Sequence, residues 1–169
     1  MREQSEIIAA VKKVMPAVVS IVVSKKLERV EKEIKKNFPA HQRNTVASVP
    51  PEKIDAHGMV QVGGGSGSIV NKKGIILTNK HVVSEPFAEY TVITNDGLKY
   101  PTEILARDPI DDIAILKINP ENHNFPTVKL GDSEKVELGE YVLAFGNALG
   151  IIVFRAIFGF GVDNIKKQK

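Results

Sequence analysis

The hydrophobic positions at the start of the chain follow a helical period and then change to a run typical of a strand. Within residues 4–15 the apolar side chains fall on one face of a helix: Ile7, Ile8, Val11, Val14 and Met15. Pro16 cannot continue the helix because it has no backbone N–H to donate, so the pattern predicts a short amphipathic helix over residues 4–15. Residues 17–23 are mostly β-branched and predict a strand.

A polar stretch, residues 25–58, separates this strand from the next apolar runs. Within residues 25–38 apolar side chains recur at helical spacing among many charges, so this part is either a surface helix or a section of a long excursion. Residues 39–56 hold three prolines and few apolar side chains, a composition that predicts a loop.

From residue 59 onward the pattern changes to short β-rich runs separated by turn residues. The predicted strands are residues 67–71, 75–79, 90–95, 99–107, 113–118 and 141–145. The Asp96-Gly97 pair between two of them suits a type I′ hairpin turn. Strands this short and closely spaced predict an all-β antiparallel barrel or sandwich, preceded by the short helix, rather than βαβ units. Residues 151–169 show no clear period, and we predict no structure for them.

Composition excludes several kinds of site and partner. The chain has 169 residues, 43% of them hydrophobic, which fits about one globular domain. It has no cysteine, so disulfides, thiolate catalysis and cysteine-based metal sites are excluded. The net charge of +3 comes from residues 1–37 and is not interleaved with aromatic side chains, so nucleic acid is not an expected partner. Residues 17–23 are too few for a signal core or a transmembrane segment.

Candidate catalytic side chains lie beside two of the predicted strands. His81 follows the strand predicted at residues 75–79, and Asp111 and Asp112 precede the one at residues 113–118. Serine hydrolases need an imidazole to take the proton of a hydroxyl and a carboxylate to hold that imidazole. Residue types alone do not show whether these side chains are catalytic, since a single histidine near a strand end is usually an ordinary surface or core residue. The other histidines lie in polar surroundings without an assigned role: His41, His57 and His123.

Four segments of the chain, taken in order, resemble the HtrA/Deg family of trypsin-like serine proteases. They are residues 14–21 (VMPAVVSI), 65–83 (GSGSIV, then GIILTNKHVV), 107–118 (RDPIDDIAILKI) and 130–147 (LGDSEKVELGEYVLAFGN). The resemblance covers roughly residues 7–150 and is poor over residues 25–58.

The resemblance implies a chymotrypsin-like fold of two antiparallel β-barrels with the active site between them. This chain is expected to hold the first barrel and the start of the second. The expected segments are residues 1–24 (helix and first strand), 25–58 (variable loop), 59–130 (remainder of the first barrel), 131–150 (crossing to the second barrel) and 151–169 (atypical tail). The resemblance assigns the general-base role to His81 and the orienting role to Asp112.

The nucleophile of the family has no counterpart in this sequence. The family supplies it from a Gly-Asn-Ser-Gly-Gly segment, which does not occur in the 169 residues. Ser66, among glycines of residues 64–67, and Ser133, in residues 131–150, are both predicted not to be nucleophiles. We therefore expect an N-terminal fragment that is inactive alone, with a frameshift or truncation near Gly150 or a genuinely short protein as the two explanations.

The resulting hypothesis is an HtrA-type serine endopeptidase of protein quality control that cleaves unfolded proteins. By resemblance, its partners are unfolded protein or peptide substrates and other copies of the chain in an oligomer such as a trimer, and no cofactor or metal is implied. Localisation stays unassigned, although the family is often periplasmic or membrane-associated. Two alternatives remain: a non-enzymatic barrel used for binding or oligomer assembly, and a metal-dependent hydrolase built on His81, Asp111 and Asp112.

Overall fold

Six antiparallel strands close into a barrel. The computed structural model describes residues 2–37, 49–120, 123–148 and 151–152. The barrel strands are β1 (Val18–Lys26), β2 (Met59–Asn71), β3 (Ile75–Thr78), β4 (Glu89–Ile93), β5 (Lys99–Arg107) and β6 (Ala114–Ile118). Their order around the barrel is β1-β2-β3-β6-β5-β4, and β4 pairs with β1 to close it. The predicted all-β antiparallel fold is confirmed.

The interior of the barrel is filled by alternate residues of its strands. In β6, for example, Ala114, Leu116 and Ile118 are buried while the two residues between them are partly exposed. This period of two is the one expected when a strand has one face towards the core. Each fully buried Leu, Ile or Val contributes about 1.5–3 kcal/mol to folding. The largest fully buried side chains include Ile21, Ile69, Ile76, Leu116 and Ile118.

Two helices flank the first strand. Helix α1 (Arg2–Val14) confirms the predicted amphipathic helix, which ends in a 3-10 turn, Met15–Ala17, that contains Pro16. Helix α2 (Leu27–Asn37) follows β1 directly, so the helical alternative for this stretch is the one observed. Residues 38–48, which include residues 39–48 of the predicted loop, lie outside the described residues. The division into residues 1–24, 25–58, 59–130, 131–150 and 151–169 stays a prediction. No helix among the described residues is long and apolar enough to cross a membrane.

The strand predicted at residues 141–145 is wrong. Ala144 makes a single bridge, whereas Tyr141 and Val142 are 72% and 63% exposed. Pairing of β4 with β1 closes the barrel, so this segment cannot extend its sheet. A two-stranded pair follows instead, β7 (Asn147–Ala148) with β8 (Ile151–Ile152), and residues 153–169 lie outside the described residues.

The hairpin turn between β4 and β5 is present but is not type I′. A type I′ turn would place both Asp96 and Gly97 at positive φ, whereas only Gly97 of the two has a positive φ, +85°. The Gly97 N–H donates to the Thr94 carbonyl at 2.9 Å, and the Thr94 N–H donates to the Leu98 carbonyl at 3.0 Å. The chain therefore turns over three residues and uses glycine at the left-handed position.

Candidate active site

The pairing of β3 with β6 brings the two predicted catalytic side chains together. Thr78, the last residue of β3, faces Ala114, the first residue of β6. His81 follows Thr78 in a 3-10 turn, Lys80–Val83, and Asp112 precedes Ala114 in the turn that leaves β5. Residues 31 positions apart in sequence thus meet at one end of the barrel.

The carboxylate of Asp112 binds His81 through two of the histidine's groups. His81 Nδ1 lies 2.7 Å from Asp112 Oδ2, and the His81 backbone N–H donates to Asp112 Oδ1 at 2.9 Å. An ionised carboxylate only accepts hydrogen bonds, so Nδ1 carries the proton. The other ring nitrogen, Nε2, is left with a free lone pair that can accept a proton.

A third donor to this carboxylate was missed by sequence reasoning. The side-chain amide of Asn79 donates to Asp112 Oδ2 at 3.0 Å and lies 3.3 Å from the Asp112 carbonyl oxygen. The His81 backbone N–H, then the His81 ring and the Asn79 amide, hold the pKa of Asp112 below its ordinary value of 3.8. The sequence signal for Asn79 was its place between the end of a strand and the histidine.

The histidine–aspartate pair is open to solvent. The side chain of His81 is 72% exposed and that of Asp112 is 48% exposed. Polar contacts between side chains this exposed are screened by water and contribute little to stability. The attraction between the two side chains therefore does not explain their geometry, which has to come from the turns that carry them.

The turn that carries His81 is held at its C-terminal side by two side chains. The Arg107 guanidinium donates to the Val83 carbonyl from Nε at 2.9 Å and from Nη2 at 2.8 Å. The Ser84 hydroxyl donates to the His81 carbonyl at 2.8 Å. Because carbonyl groups at the end of a helical turn lack intrahelical donors, these bonds stabilise the turn.

Close packing against β2 determines how near the His81 turn lies to the barrel. Val82 and Val83 are buried in the core, and Gly65 of β2 lies directly beneath Val82. A Cβ atom at Gly65 would lie 2.5 Å from a methyl carbon of Val82, so only glycine fits without displacing the turn.

The turn that carries Asp112 is organised by Asp108. The Asp108 carboxylate accepts the backbone N–H groups of Asp111 at 2.7 Å and Ile110 at 2.8 Å, and these bonds lower the pKa of Asp108. The ammonium group of Lys80 donates to the Asp108 carbonyl at 2.8 Å. Since Lys80 precedes His81, this bond joins the two turns directly.

An open cleft of ≈ 1050 Å³ begins at His81 and Asp112. It is lined by the segment that follows the His81 turn, residues 84–91, and by β5. The His81 side chain is therefore accessible from the cleft.

The predicted non-nucleophilic serines lie on other elements. Ser66 sits in β2, where its backbone carbonyl accepts the Thr78 hydroxyl at 2.7 Å, and Ser133 begins an exposed 3-10 turn, Ser133–Lys135. The described hydrogen bond at the His81 ring is the one to Asp112. The exclusion of both serines as nucleophiles stays a prediction.

The remaining histidines lie elsewhere or outside the described residues, and Asp111, next to Asp112, makes its described hydrogen bond through its backbone N–H. His123 stacks on Phe125 with ring centroids 6.4 Å apart, the His57 N–H donates to an aspartate beside it, and His41 is not among the described residues. Within the part of the chain that the structure describes, no group of three or more His, Cys, Asp or Glu residues could hold a metal ion. The proposed trio of His81, Asp111 and Asp112 therefore gains no support.

The Asp112 carboxyl is expected to titrate below 3.8, and Asn79→Ala is expected to raise its midpoint. A lowered pKa means that folding favours the carboxylate, so the hydrogen bonds at Asp112 hold above pH 3.8 and are lost as pH falls through the lowered value. Carboxyl ¹³C NMR against pH measures both midpoints. Asn95→Ala, at an exposed residue of the β4–β5 turn, is the control. A midpoint unmoved by Asn79→Ala would contradict the assignment.

Comparisons with known proteins agree on one fold and one group of relatives. The Trypsin-like peptidase domain family matches residues 65–159. A probable periplasmic serine endoprotease DegP-like of Brucella suis is 41% identical over 87 residues, covering 52% of this chain and 17% of the relative. The protein of the same description from Pseudomonas putida is 44% identical over 86 residues, covering 51% and 17%. The matched part of the chain thus spans about a sixth of the length of these relatives.

Two solved structures extend the likeness to the fold. The crystal structure of Deg5 superposes with a TM-score of 0.63 and 23% identity, covering 89% of this chain and 59% of Deg5. A variant of the HtrA-type protease AlgW with a tripeptide gives a TM-score of 0.56 and 26% identity, covering 84% and 35%. The predicted trypsin-like barrel is confirmed by these matches.

Proposed function

This chain belongs to the HtrA/Deg family of trypsin-like serine peptidases, and from that premise we propose that its barrel supplies the base and the orienting carboxylate of a serine endopeptidase. His81 is the proposed general base and Asp112 the proposed orienting residue. The observation that carries the proposal is the 2.7 Å contact between His81 Nδ1 and Asp112 Oδ2, which leaves Nε2 able to accept a proton.

The proposed steps follow from that geometry. His81 Nε2 takes the proton of a serine hydroxyl as its oxygen attacks the carbonyl carbon of a peptide bond. The imidazolium that forms is stabilised by the Asp112 carboxylate, and His81 then delivers the proton to the departing amine. Asn79 keeps the carboxylate oriented through its bond to Oδ2. No step in this scheme requires a cofactor.

The serine has to come from outside the 169 residues. A nucleophile must approach Nε2 to about 2.6–3.2 Å, and the family's Gly-Asn-Ser-Gly-Gly segment does not occur in this sequence. We therefore propose that the 169-residue polypeptide has no peptidase activity by itself. In an enzyme that includes the missing serine, the proposed substrates are unfolded proteins, the proposed assembly is an oligomer of like chains, and the proposed location is the periplasm named for the relatives.

A fluorophosphonate probe tests whether this polypeptide holds an activated serine. We expect no covalent labelling of the chain, because such probes need a serine activated by a nearby base. A full-length DegP-like protease treated in parallel, with labelling followed by mass spectrometry, is the positive control. Labelling of the chain would contradict the proposal, and the modified peptide would identify the serine, with Ser66 as the first to inspect. No observation on the described residues favours the non-enzymatic binding role.

A further inference from the structure

Lys25 is a buried cation held by two carboxylates from different parts of the chain. Its side chain, at the end of β1, is only 4% exposed. Its ammonium nitrogen lies 2.9 Å from an oxygen of Glu33 in α2 and 2.7 Å from an oxygen of Glu85. Hydrogen bonds to Glu85 and then Glu33 raise the pKa of Lys25 despite its burial. A buried ammonium without such partners is strongly disfavoured, so Lys25 depends on these two carboxylates.

Glu85 begins the cleft rim, which we define as residues 85–87. These residues line the cleft that starts at His81. The Glu85 carbonyl also accepts the Tyr90 hydroxyl at 2.9 Å, so the first residue of the cleft rim is fixed by its side chain and by its backbone. Lys25 thus joins α2 to the wall of the proposed active site.

Phe87, the last residue of the cleft rim, makes a second contact with the same helix. Phe87 is 73% exposed, and the guanidinium carbon of Arg29 lies 3.8 Å from its ring centroid. Arg29 and Glu33 are four residues apart and therefore share one face of α2. Phe87 also has a φ of +59°, a left-handed conformation that is strained for a residue with a bulky side chain. Such strain persists where neighbouring contacts impose it.

We propose that Lys25 and Arg29 are positioning residues through which α2 holds the cleft rim in place and thereby sets the shape of the substrate cleft. The role of the cleft rests on the proposed function, whereas the coupling between α2 and the cleft rim does not. Glu33, the partner of Lys25, and Arg29 lie on one face of α2. Their contacts reach the first and last residues of the cleft rim. Displacement of α2 should therefore displace the cleft rim while the barrel stays intact.

The test uses NMR of the full chain and needs no catalytic activity. The Arg29 Nε–H signal should be shifted upfield by the ring current of Phe87. Phe87→Leu removes the ring, so loss of the shift in that variant shows that Phe87 causes it. In Lys25→Met, which keeps an unbranched side chain of similar length, we expect the upfield shift to be lost and the amide signals of Glu85 and Phe87 to move. Lys26→Met, at the exposed residue next along β1, is the matched control and should move neither.

The second measurement replaces each of the two carboxylates in turn and records the effect on the other element. It stays informative if Lys25→Met fails to fold. Glu33→Gln should move the amide signals of the cleft rim, and Glu85→Gln should move those of α2, while core signals of β3 and β6 stay in place. If Lys25 had only a local role, a replacement in one of these elements would not move the amide signals of the other. Unchanged cleft-rim signals in folded Lys25→Met, or in Glu33→Gln, would overturn the proposal. Covalent labelling by the fluorophosphonate probe would contradict the proposed function but not the coupling between α2 and the cleft rim.

Discussion

Replacement of His81 by alanine should lower kcat by a factor on the order of 10⁶ in an active enzyme that carries this barrel. A suitable enzyme is a chimaera in which residues 1–146 replace the matching barrel of the Pseudomonas putida relative, which is 44% identical over 86 residues. His81→Ala removes the group that accepts the serine proton, so attack on the peptide carbonyl would proceed without a base. Hydrolysis of an unfolded protein, with the melting temperature as a check on folding, measures the effect.

Asp112→Asn in the same chimaera is expected to lower kcat by about 10⁴. The His81 backbone N–H must keep an oxygen acceptor at the position of Oδ1, so the new amide nitrogen would occupy the position of Oδ2. There it would donate to Nδ1 and meet the donating amide of Asn79. The imidazole would then carry its proton on Nε2, where it cannot act as a base.

Asp111→Asn is the matched control for this series. Asp111 is the same residue type, lies next to Asp112, and is also exposed, but its described hydrogen bond runs from its backbone to Asp108. The control should retain activity within a few-fold. Equal losses in Asp111→Asn and Asp112→Asn, or full activity in His81→Ala, would refute the assigned roles.

Gly74→Ala is expected to destabilise the barrel by more than about 3 kcal/mol, a large part of the roughly 5–15 kcal/mol that a domain of this size has. Gly74, in the turn between β2 and β3, has a φ of +83°, and an added Cβ would lie 2.2 Å from the Ile118 carbonyl oxygen. The Ile118 N–H donates to the Gly74 carbonyl at 3.0 Å, so the two backbones cannot separate without losing this bond. Denaturant unfolding measures the difference.

Gly97→Ala separates backbone strain from the steric clash. Gly97 has nearly the same φ, +85°, but no atom lies within 4 Å of its added Cβ. The left-handed conformation alone should cost about 1–2 kcal/mol there. If both variants lose the same stability, contact with Ile118 is not what requires glycine at position 74.

Local sequence predicted the strands of this barrel but not how they meet. Runs of β-branched residues bounded by turn residues mark β3 and β6, because those preferences act over a few neighbouring positions. The same reasoning placed a strand at residues 141–145, where the runs are similar but the barrel offers no unpaired edge. For residues 25–38 the helical spacing alone could not decide between a helix and an excursion.

The candidate site depends on register, which the spacing of apolar residues does not reveal. His81 and Asp112 meet because Thr78 pairs with Ala114, and only the family resemblance anticipated that the two would act together. Asn79, Arg107 and Lys25 were not singled out, since each acts on a group that is remote in sequence. Hydrogen bonds of this kind come from tertiary packing.

Closure of the barrel also decides when a growing chain becomes resistant to aggregation. Residues 18–23 of β1 are uncharged and rich in valine, a composition that self-associates readily when a strand edge is open. In the finished barrel both edges are paired: Ser20 faces Ser66 on β2 and Ile93 on β4. Since β4 leaves the ribosome long after β1, one edge stays unpaired for most of the synthesis of the barrel. Holding chaperones should therefore bind nascent chains that end before residue 89, and release them once β4 has paired.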